Sequence, residues 1–190
     1  MLAVPAAAGE HDSVIHIGVL AKRGAPQTRD RWQPTLDYLA EQLPGQRLEL
    51  VSLSFDAIDP AVAAARVDFV LANSAYYVRL EHDHHVRRIA TLRNKHNGRA
   101  VTRFGGVVLA RADQRDIRHL PDIHQRRFGA VHPESFGGYL MALHALDRAG
   151  VRPRRTEFLG THDAVVYAVR DGRITAGTVR SDTLERMAAE

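Results

Sequence analysis

Ser135-Phe136-Gly137-Gly138-Tyr139 has the composition of an anion-holding turn. It follows the short apolar run Arg127-Phe128-Gly129-Ala130-Val131, which reads as a buried strand. It precedes Tyr139 to Ala149, where apolar residues recur at helical spacing before Gly150 stops them. A hydroxyl and two glycines therefore stand where a strand turns into a helix. The first amides of that helix lack intrahelical partners, the helix dipole adds partial positive charge, and glycine permits close approach to the backbone. The same residues also suit a plain cap, with Ser135 bonding an amide and the glycines giving tight packing. Three more strand ends carry polar, hydroxyl-bearing turns: Asn73-Ser74, Gly160-Thr161-His162-Asp163 and Gly177 to Asp182. Ligands of open α/β sheets bind beyond the carboxyl ends of strands. Four such turns facing one another would line a cleft with donors for a small oxyanion or carboxylate.

The elements that must position these turns can be read in order. Val14 to Leu20 is a first strand, and Ala21 to Asp30 reads as a loop holding Lys22, Arg23 and Arg29. Arg31 to Leu43 is a helix with Trp32, Leu36, Leu39 and Leu43 on one face, and Pro44-Gly45 ends it. A strand over Arg47 to Phe55, an Ala-rich helix over Asp56 to Arg66 and a buried strand over Val67 to Ala72 follow. A helix then runs from the Asn73 turn to about Glu81, and Val86 to Leu92 reads as a strand. The polar run Arg93 to Arg99 suggests a lobe boundary. Beyond it come a strand over Phe104 to Arg111, a short helix over Arg115 to Leu120 and the strand that leads into Ser135. Then follow a short strand at Phe158-Leu159, a helix over Ala164 to Arg170, a last strand over Ile174 to Val179 and a helix over Thr183 to Ala189. The alternation predicts an α/β fold with a largely parallel sheet.

The bulk composition bounds the function. A chain of 190 residues, 45% of them hydrophobic, can bury a core as one domain or two small lobes. Its net charge of +4 is basic, but the cations are interleaved with Asp and Glu and aromatics make up only 6%, so no nucleic-acid-binding pattern emerges. The absence of cysteine removes disulfides, Cys-ligated zinc and thiol chemistry. No apolar run approaches the ~20 residues of a membrane span. Ala6-Ala7-Ala8 resembles the small-residue cleavage region of a secretory signal without the parts that should precede it, so residues 1–13 read as a disordered leader or signal remnant.

Other clusters are weighed the same way. Glu81-His82-Asp83-His84-His85 has metal-ligand chemistry, with His82 and His85 able to share a helix face, yet it falls at a helix end where polar residues are expected; no metal is assigned. Pro133 stands where a nucleophile elbow around Ser135 would need Gly. Ser135, His162 and Asp163 could supply a triad only if adjacent His and Asp side chains converged, which most backbones prevent. Trp32 and its leucine stripe read as core.

Taken in order, Ile17-Gly18-Val19, Asp68-Phe69-Val70 with Asn73 to Tyr77, Arg88-Ile89-Ala90, Phe104-Gly105-Gly106-Val107 and Arg127-Phe128 resemble phosphonate-binding-protein-like (PhnD-like) periplasmic solute-binding domains. So do Ser135-Phe136-Gly137-Gly138-Tyr139, Gly160 to Val165 and Ala176-Gly177-Thr178-Val179-Arg180. Within that family the chain is similar to the sensor regions of membrane histidine kinases of the tetrathionate-sensor type. The resemblance spans Val14 to Ala188. It implies a type II periplasmic binding fold: two α/β lobes, residues 14–97 and 98–190, with a ligand cleft between them. The ligand-binding residues it implies are Asn73, Ser74, Tyr77, Ser135, Gly137, Gly138, Thr161, His162, Asp163, Arg180 and Ser181, with Asp182 beside them. Ser135 and the amides after it would hold an anionic head, Arg180 would supply a charged fork, Tyr77 a ring and hydroxyl, and His162 a hydrogen bond and a pH sensor. Two departures stand out. Ser135 is a single hydroxyl where phosphonate binders carry two around the glycine, and the family's return to the first lobe is missing or truncated before Glu190.

The expectation is therefore a non-catalytic, periplasmic domain that closes around a small anion, such as a sulfur or phosphorus oxyanion, without a cofactor. It would be the input module of a two-component sensor histidine kinase, tied to the membrane only through a segment outside residues 1–190, and compatible with a homodimer. The alternatives are the substrate-binding protein of a phosphonate-type ABC transporter and the effector domain of a LysR-type regulator.

Overall fold

The computed structural model describes residues 14–96 and 98–189, so the leader reading for residues 1–13 lies outside the described residues. Strand β1 (Val14–Leu20), helix α1 (Ala25–Gln42), β2 (Arg47–Leu53), α2 (Phe55–Ala63) and β3 (Phe69–Leu71) form a parallel sheet in the order β2-β1-β3. All seven residues of β1 pair with β2, from Val14 opposite Arg47 to Leu20 opposite Leu53. Helix α3 (Ser74–His84) follows β3. The polar run expected to mark a boundary forms a small antiparallel hairpin, β4 (Asn94–His96) with β5 (Arg99–Val101).

The second large sheet comprises β6 (Gly106–Ala110), β7 (Arg127–Ala130), β8 (Arg155–Phe158) and β9 (Ala176–Arg180), in the order β6-β9-β7-β8. Helices α4 (Met141–Arg148), α5 (His162–Arg170) and α6 (Thr183–Ala188) follow β7, β8 and β9 in turn. Strand β7 runs parallel to β8 and β9, while β6 is antiparallel to β9. The alternation of strands and helices thus holds, with one reversed strand in the sheet.

Several local expectations are corrected. Helix α1 begins at Ala25, six residues before Arg31, because Pro26 occupies its first turn, where a missing N–H costs nothing. Gly24, at φ 107°, makes the bend into it. Residues 86–92 form no strand: His85 takes a left-handed conformation at φ 57°, and Ile89 is 78% exposed. Residues 115–120 form no regular helix. Asp122 Oδ2 accepts from the amides of Arg118 and His119, both at 2.8 Å, which starts a 3-10 turn at Leu120–Ile123 instead. The last strand is shifted to Ala176–Arg180, which carries Arg180 on its final residue.

One apolar cluster draws on both large sheets. Leu20, Phe55, Ile58, Tyr76 and Leu80 from the first half join Val131, Val165, Val169 and Val179 from the second. Polar contacts reinforce the junction: Asn73 Nδ2 donates to the Glu134 carbonyl at 3.4 Å, and the Arg79 guanidinium pairs with Glu134 and with Asp59. The His132 ring stacks on Phe55, with centroids 4.6 Å apart. A second cluster, built on Ile123, Phe128, Ala142, Leu146, Val151 and Ala176, packs α4 against the four-stranded sheet. Phe128 is only 1% exposed there. Truncating it leaves a cavity as well as losing transfer free energy, so Phe128→Ala should cost about 3–5 kcal/mol. Urea unfolding monitored by circular dichroism measures this, and a loss below about 1 kcal/mol would contradict that packing.

Candidate functional site

The Ser135 turn follows the end of β7. Ser135 is buried and its Oγ accepts from the Gly138 amide at 3.2 Å, satisfying one of the free donors. The turn Phe136–Leu140 is wound one residue wider than an α-helix: the Leu140 and Met141 amides donate to the carbonyls of Ser135 and Phe136. A Cβ on Gly138 would lie 2.4 Å from Val131 Cγ2, 2.8 Å from Ser135 Oγ and 2.9 Å from His162 Cε1, so no larger residue fits. A Cβ on Gly106 would meet the Gly137 carbonyl at 2.9 Å. Strand β6 therefore passes directly against this turn.

The turn into α5 packs beside it. Thr161 Oγ1 caps the helix by accepting from Ala164 at 3.2 Å. His162 is buried; its amide lies 3.4 Å from the Lys22 carbonyl, and its Nδ1 accepts from the Arg180 amide at 3.1 Å. Burial, with Lys22 and Arg180 adding repulsion, pushes the His162 imidazole down to about 3. It is neutral near pH 7, so the expected role as a pH sensor is corrected. Asp163 turns away from His162 and takes a two-donor grip from Arg23, Nε at 2.9 Å and Nη2 at 2.8 Å. No Ser-His-Asp relay is assembled.

Arg180 and its neighbours complete the cluster. Its guanidinium lies 4.6 Å from the Phe104 ring centre. Arg180 Nε stands 2.8 Å from Asp182 Oδ1, yet its N–H is not directed there and this buried donor makes no hydrogen bond. The other oxygen of Asp182 pairs with Arg186 at 2.6 Å. Ser181 Oγ accepts from the Gly105 amide at 3.0 Å.

The structure thus brings Ser135, Gly137, Gly138, Thr161, His162, Asp163, Arg180 and Ser181 into one region at the carboxyl ends of β7, β8 and β9. Asn73 reaches its edge through Glu134, but its Oδ1 is spent capping Ala75 and Tyr76. Ser74 is exposed, and the Tyr77 hydroxyl bonds along its own helix to Glu81 at 2.5 Å. The candidate hydroxyls of Ser135, Thr161 and Ser181 all accept from backbone amides. The histidine cluster is dispersed: His82 pairs with Asp83, and His84 turns to Asp59 at 2.7 Å.

The positive wall of the region comes from residues outside the predicted set: Lys22 after β1, Arg31 on α1 and Arg186 on α6. Lys22 is half-buried, and among the described residues no carboxylate or acceptor is bonded to its ammonium. Burial, followed by repulsion from Arg180 and Arg186, pulls Lys22 down to about 7. Arg31 lies 5.9 Å from the Trp32 ring centre. A cavity of about 310 Å³ opens here, lined by Leu20, Lys22, Arg23, Thr28, Trp32 and Arg186, with Gln27, Asp30 and Arg31 at its rim. Trp32, expected in the core, is half-buried along it. Basic residues directly after a strand's carboxyl end were the available signal for Lys22 and Arg23.

The pattern of the family described as "ABC transporter, phosphonate, periplasmic substrate-binding protein" matches residues 17–190. The chain is 37% identical over 182 residues to the tetrathionate sensor histidine kinase TtrS of Salmonella typhimurium, covering 92% of this chain and 30% of that protein. It superposes on a binding component of an ABC phosphonate transporter from Pseudomonas aeruginosa with a TM-score of 0.77 at 17% identity, covering 93% of this chain and 60% of the other. It superposes on PhnD1 of Prochlorococcus marinus, solved with methylphosphonate, with a TM-score of 0.75 at 18% identity, covering 91% and 65%. The fold is the α/β type II periplasmic binding fold. The chain spans about a third of the curated relative and under two thirds of these solved proteins.

The buried neutral His162 sets a pH dependence. The unfolded chain takes up a proton near the ordinary value of 6.5 that the native site refuses until about 3, so stability falls as pH drops through that window. Urea midpoints at pH 7 and pH 4.5 should show a smaller loss in His162→Gln than in the wild type. Equal losses would contradict the assignment.

Proposed function

The chain belongs to the family of periplasmic substrate-binding proteins of phosphonate ABC transporters, and on that premise we propose that it is an extracytoplasmic receptor domain for a small anion. The observation that carries this is the convergence of Lys22, Arg180 and Arg186 at the carboxyl ends of β1 and β9. Such clustered cations repel one another and suit a bound anion. Ser135, Thr161 and Asp163 hold the backbone and Arg23 in the arrangement that presents these charges, and Ser135-Gly138 and His162 form the floor behind them. Among the described residues the Ser135 hydroxyl makes no hydrogen bond to a histidine or carboxylate, which favours a binding module over an enzyme.

The domain acts as the input module of a two-component sensor histidine kinase, anchored to the membrane outside residues 1–190. The identity to a tetrathionate sensor kinase supports this context and a sulfur oxyanion as ligand class. A transporter's soluble binding component is the second reading, favoured by the family pattern. The two lobes, 14–97 and 98–190, would close on the ligand. The Arg23–Asp163, Arg79–Glu134 and Asn73–Glu134 contacts must break for them to part.

Thermal melting against tetrathionate, thiosulfate, sulfate, phosphate and methylphosphonate tests the reading. A ligand at ~100-fold excess over its dissociation constant adds about 2.7 kcal/mol, which corresponds to about 5–10 °C for a domain of this size. A rise with at least one sulfur or phosphorus oxyanion, lost in Arg180→Gln, is expected. No rise with any of them would overturn the anion reading.

A further inference from the structure

We propose that an arginine-rich face at the amino ends of β7 and β8 docks on an anionic phospholipid bilayer. The face is built from segments 115–118, 124–127 and 152–155, at the opposite end of these strands from the Ser135 and Thr161 turns. It is a reversible contact, additional to any anchor outside residues 1–190, and it does not depend on which ligand the domain takes.

The backbone brings these segments together. Strands β7 and β8 begin with Arg127 and Arg155, which are register partners in the parallel pair, so two guanidiniums leave neighbouring strands on the same side of the sheet. Like charges side by side on neighbouring strands cost stability. Glu157 meets Arg127 at 2.9 Å, whereas no carboxylate pairs with Arg155 among the described residues. The loops ahead of the two strands are tied to each other: the Gln125 amide donates to the Arg152 carbonyl at 2.8 Å and the Arg154 amide to the Arg126 carbonyl at 2.9 Å. Arg126 in turn pairs with Asp116 at 3.0 Å, which holds the segment bearing Arg115 and Arg118 at the same end.

Charge and the lack of apolar surface select the partner. The three segments hold seven arginines, all exposed, and one carboxylate, Asp116. Asp122 and Asp147 border them with Glu157, and Asp147 pairs with Arg152 at 2.6 Å. Seven cations against these four carboxylates leave three positive charges on one face, in a chain whose net charge is +4. Arg115, Arg154 and Arg155 make no ion pair among the described residues. A protein partner of ordinary affinity needs aromatic or aliphatic anchors at the centre of the contact. The exposed large hydrophobic residues among the described residues all lie outside these segments. Guanidiniums without an apolar centre fit a deformable layer of lipid phosphates, which each fork can grip through two N–H donors. Docking by this face turns the carboxyl ends of β7 and β8 away from the bilayer.

Co-sedimentation of the purified chain with vesicles provides the test, comparing equal mixtures of phosphatidylglycerol and phosphatidylcholine with phosphatidylcholine alone. At low salt the anionic vesicles should carry down at least about five-fold more protein. Salt at about 1 M, where the screening length falls to about 3 Å, should abolish the difference. A variant combining Arg115→Glu, Arg154→Glu and Arg155→Glu should sediment no more with anionic than with neutral vesicles. A control combining Arg66→Glu, Arg87→Glu and Arg93→Glu, exposed positions in the first half of the chain, makes the same change in net charge and should keep most of the binding. Melting curves near the wild type would show that both variants are folded, and the lipid comparison itself needs no variant. Equal sedimentation with both vesicle types, or equal loss in the two variants, would overturn the proposal. Absence of binding to anionic vesicles would overturn it too, and would leave the face to an acidic protein surface. The receptor reading is tested separately by the melting panel and stands or falls apart from these results.

Discussion

Positive charge at the carboxyl ends of β1 and β9 exceeds the negative charge available to balance it, and much of the local structure follows from managing that excess. Asp182 is shared between Arg180 and Arg186, and Asp163 is occupied by Arg23. Arg180 rests its guanidinium on the Phe104 ring, an interaction that offsets part of its desolvation. His162 stays neutral because burial disfavours a further charge, with Lys22 and Arg180 reinforcing the effect. Its unprotonated Nδ1 is then free to accept from the Arg180 amide, which fixes the end of β9. Lys22 is the member of the group left without a partner among the described residues, and desolvation, followed by repulsion from Arg180 and Arg186, lowers its ionisation.

The fold delivers these groups from segments far apart in the chain. Lys22 comes from the first sheet, His162 and Arg180 from the second, and the apolar cluster that joins Leu20 and Phe55 to Val131 and Val165 holds the two together. Close backbone approach does the rest. Gly106 lets β6 run against the Gly137 carbonyl, and Gly138 leaves space for the His162 ring. A methyl group at either place would push β6 or α5 outward and spread the cations apart. The hydroxyl turns therefore act as scaffolding for the charges.

The strand and helix alternation was legible in the sequence because apolar periodicity and turn residues agreed over most of the chain. The Asn73, Ser135 and Gly160 turns follow strand ends as read, whereas Gly177 to Arg180 belong to β9 and only Ser181-Asp182 lies beyond it. Helix α1 was misread at its start because Gly24-Ala25-Pro26 looks like a loop, whereas proline is tolerated in a helix's first turn. Residues 86–92 carry the composition of a strand, but Ile89 has no apolar surface to cover it and residues 86–92 find no neighbouring strand. At the site, Ser135, Thr161 and Asp163 were found by type and position, but sequence could not show that the two hydroxyls each accept from a backbone amide or that Asp163 is held by Arg23. Lys22, Arg31 and Arg186 were passed over because three cations separated by up to 164 residues look like dispersed surface charge. Only tertiary placement shows that the three share one cavity.

The most direct test of the central claim is the ionisation of Lys22 itself, followed by NMR of its side-chain nuclei in the purified chain with and without thiosulfate. The account predicts titration near 7 in the free domain. Bound thiosulfate should move it upward by more than one unit, because an anion beside the ammonium favours its charged form. A Lys22 that titrates near its ordinary 10.5 in both samples would show that the ammonium is neither confined among the guanidiniums nor met by the anion, and would contradict the account.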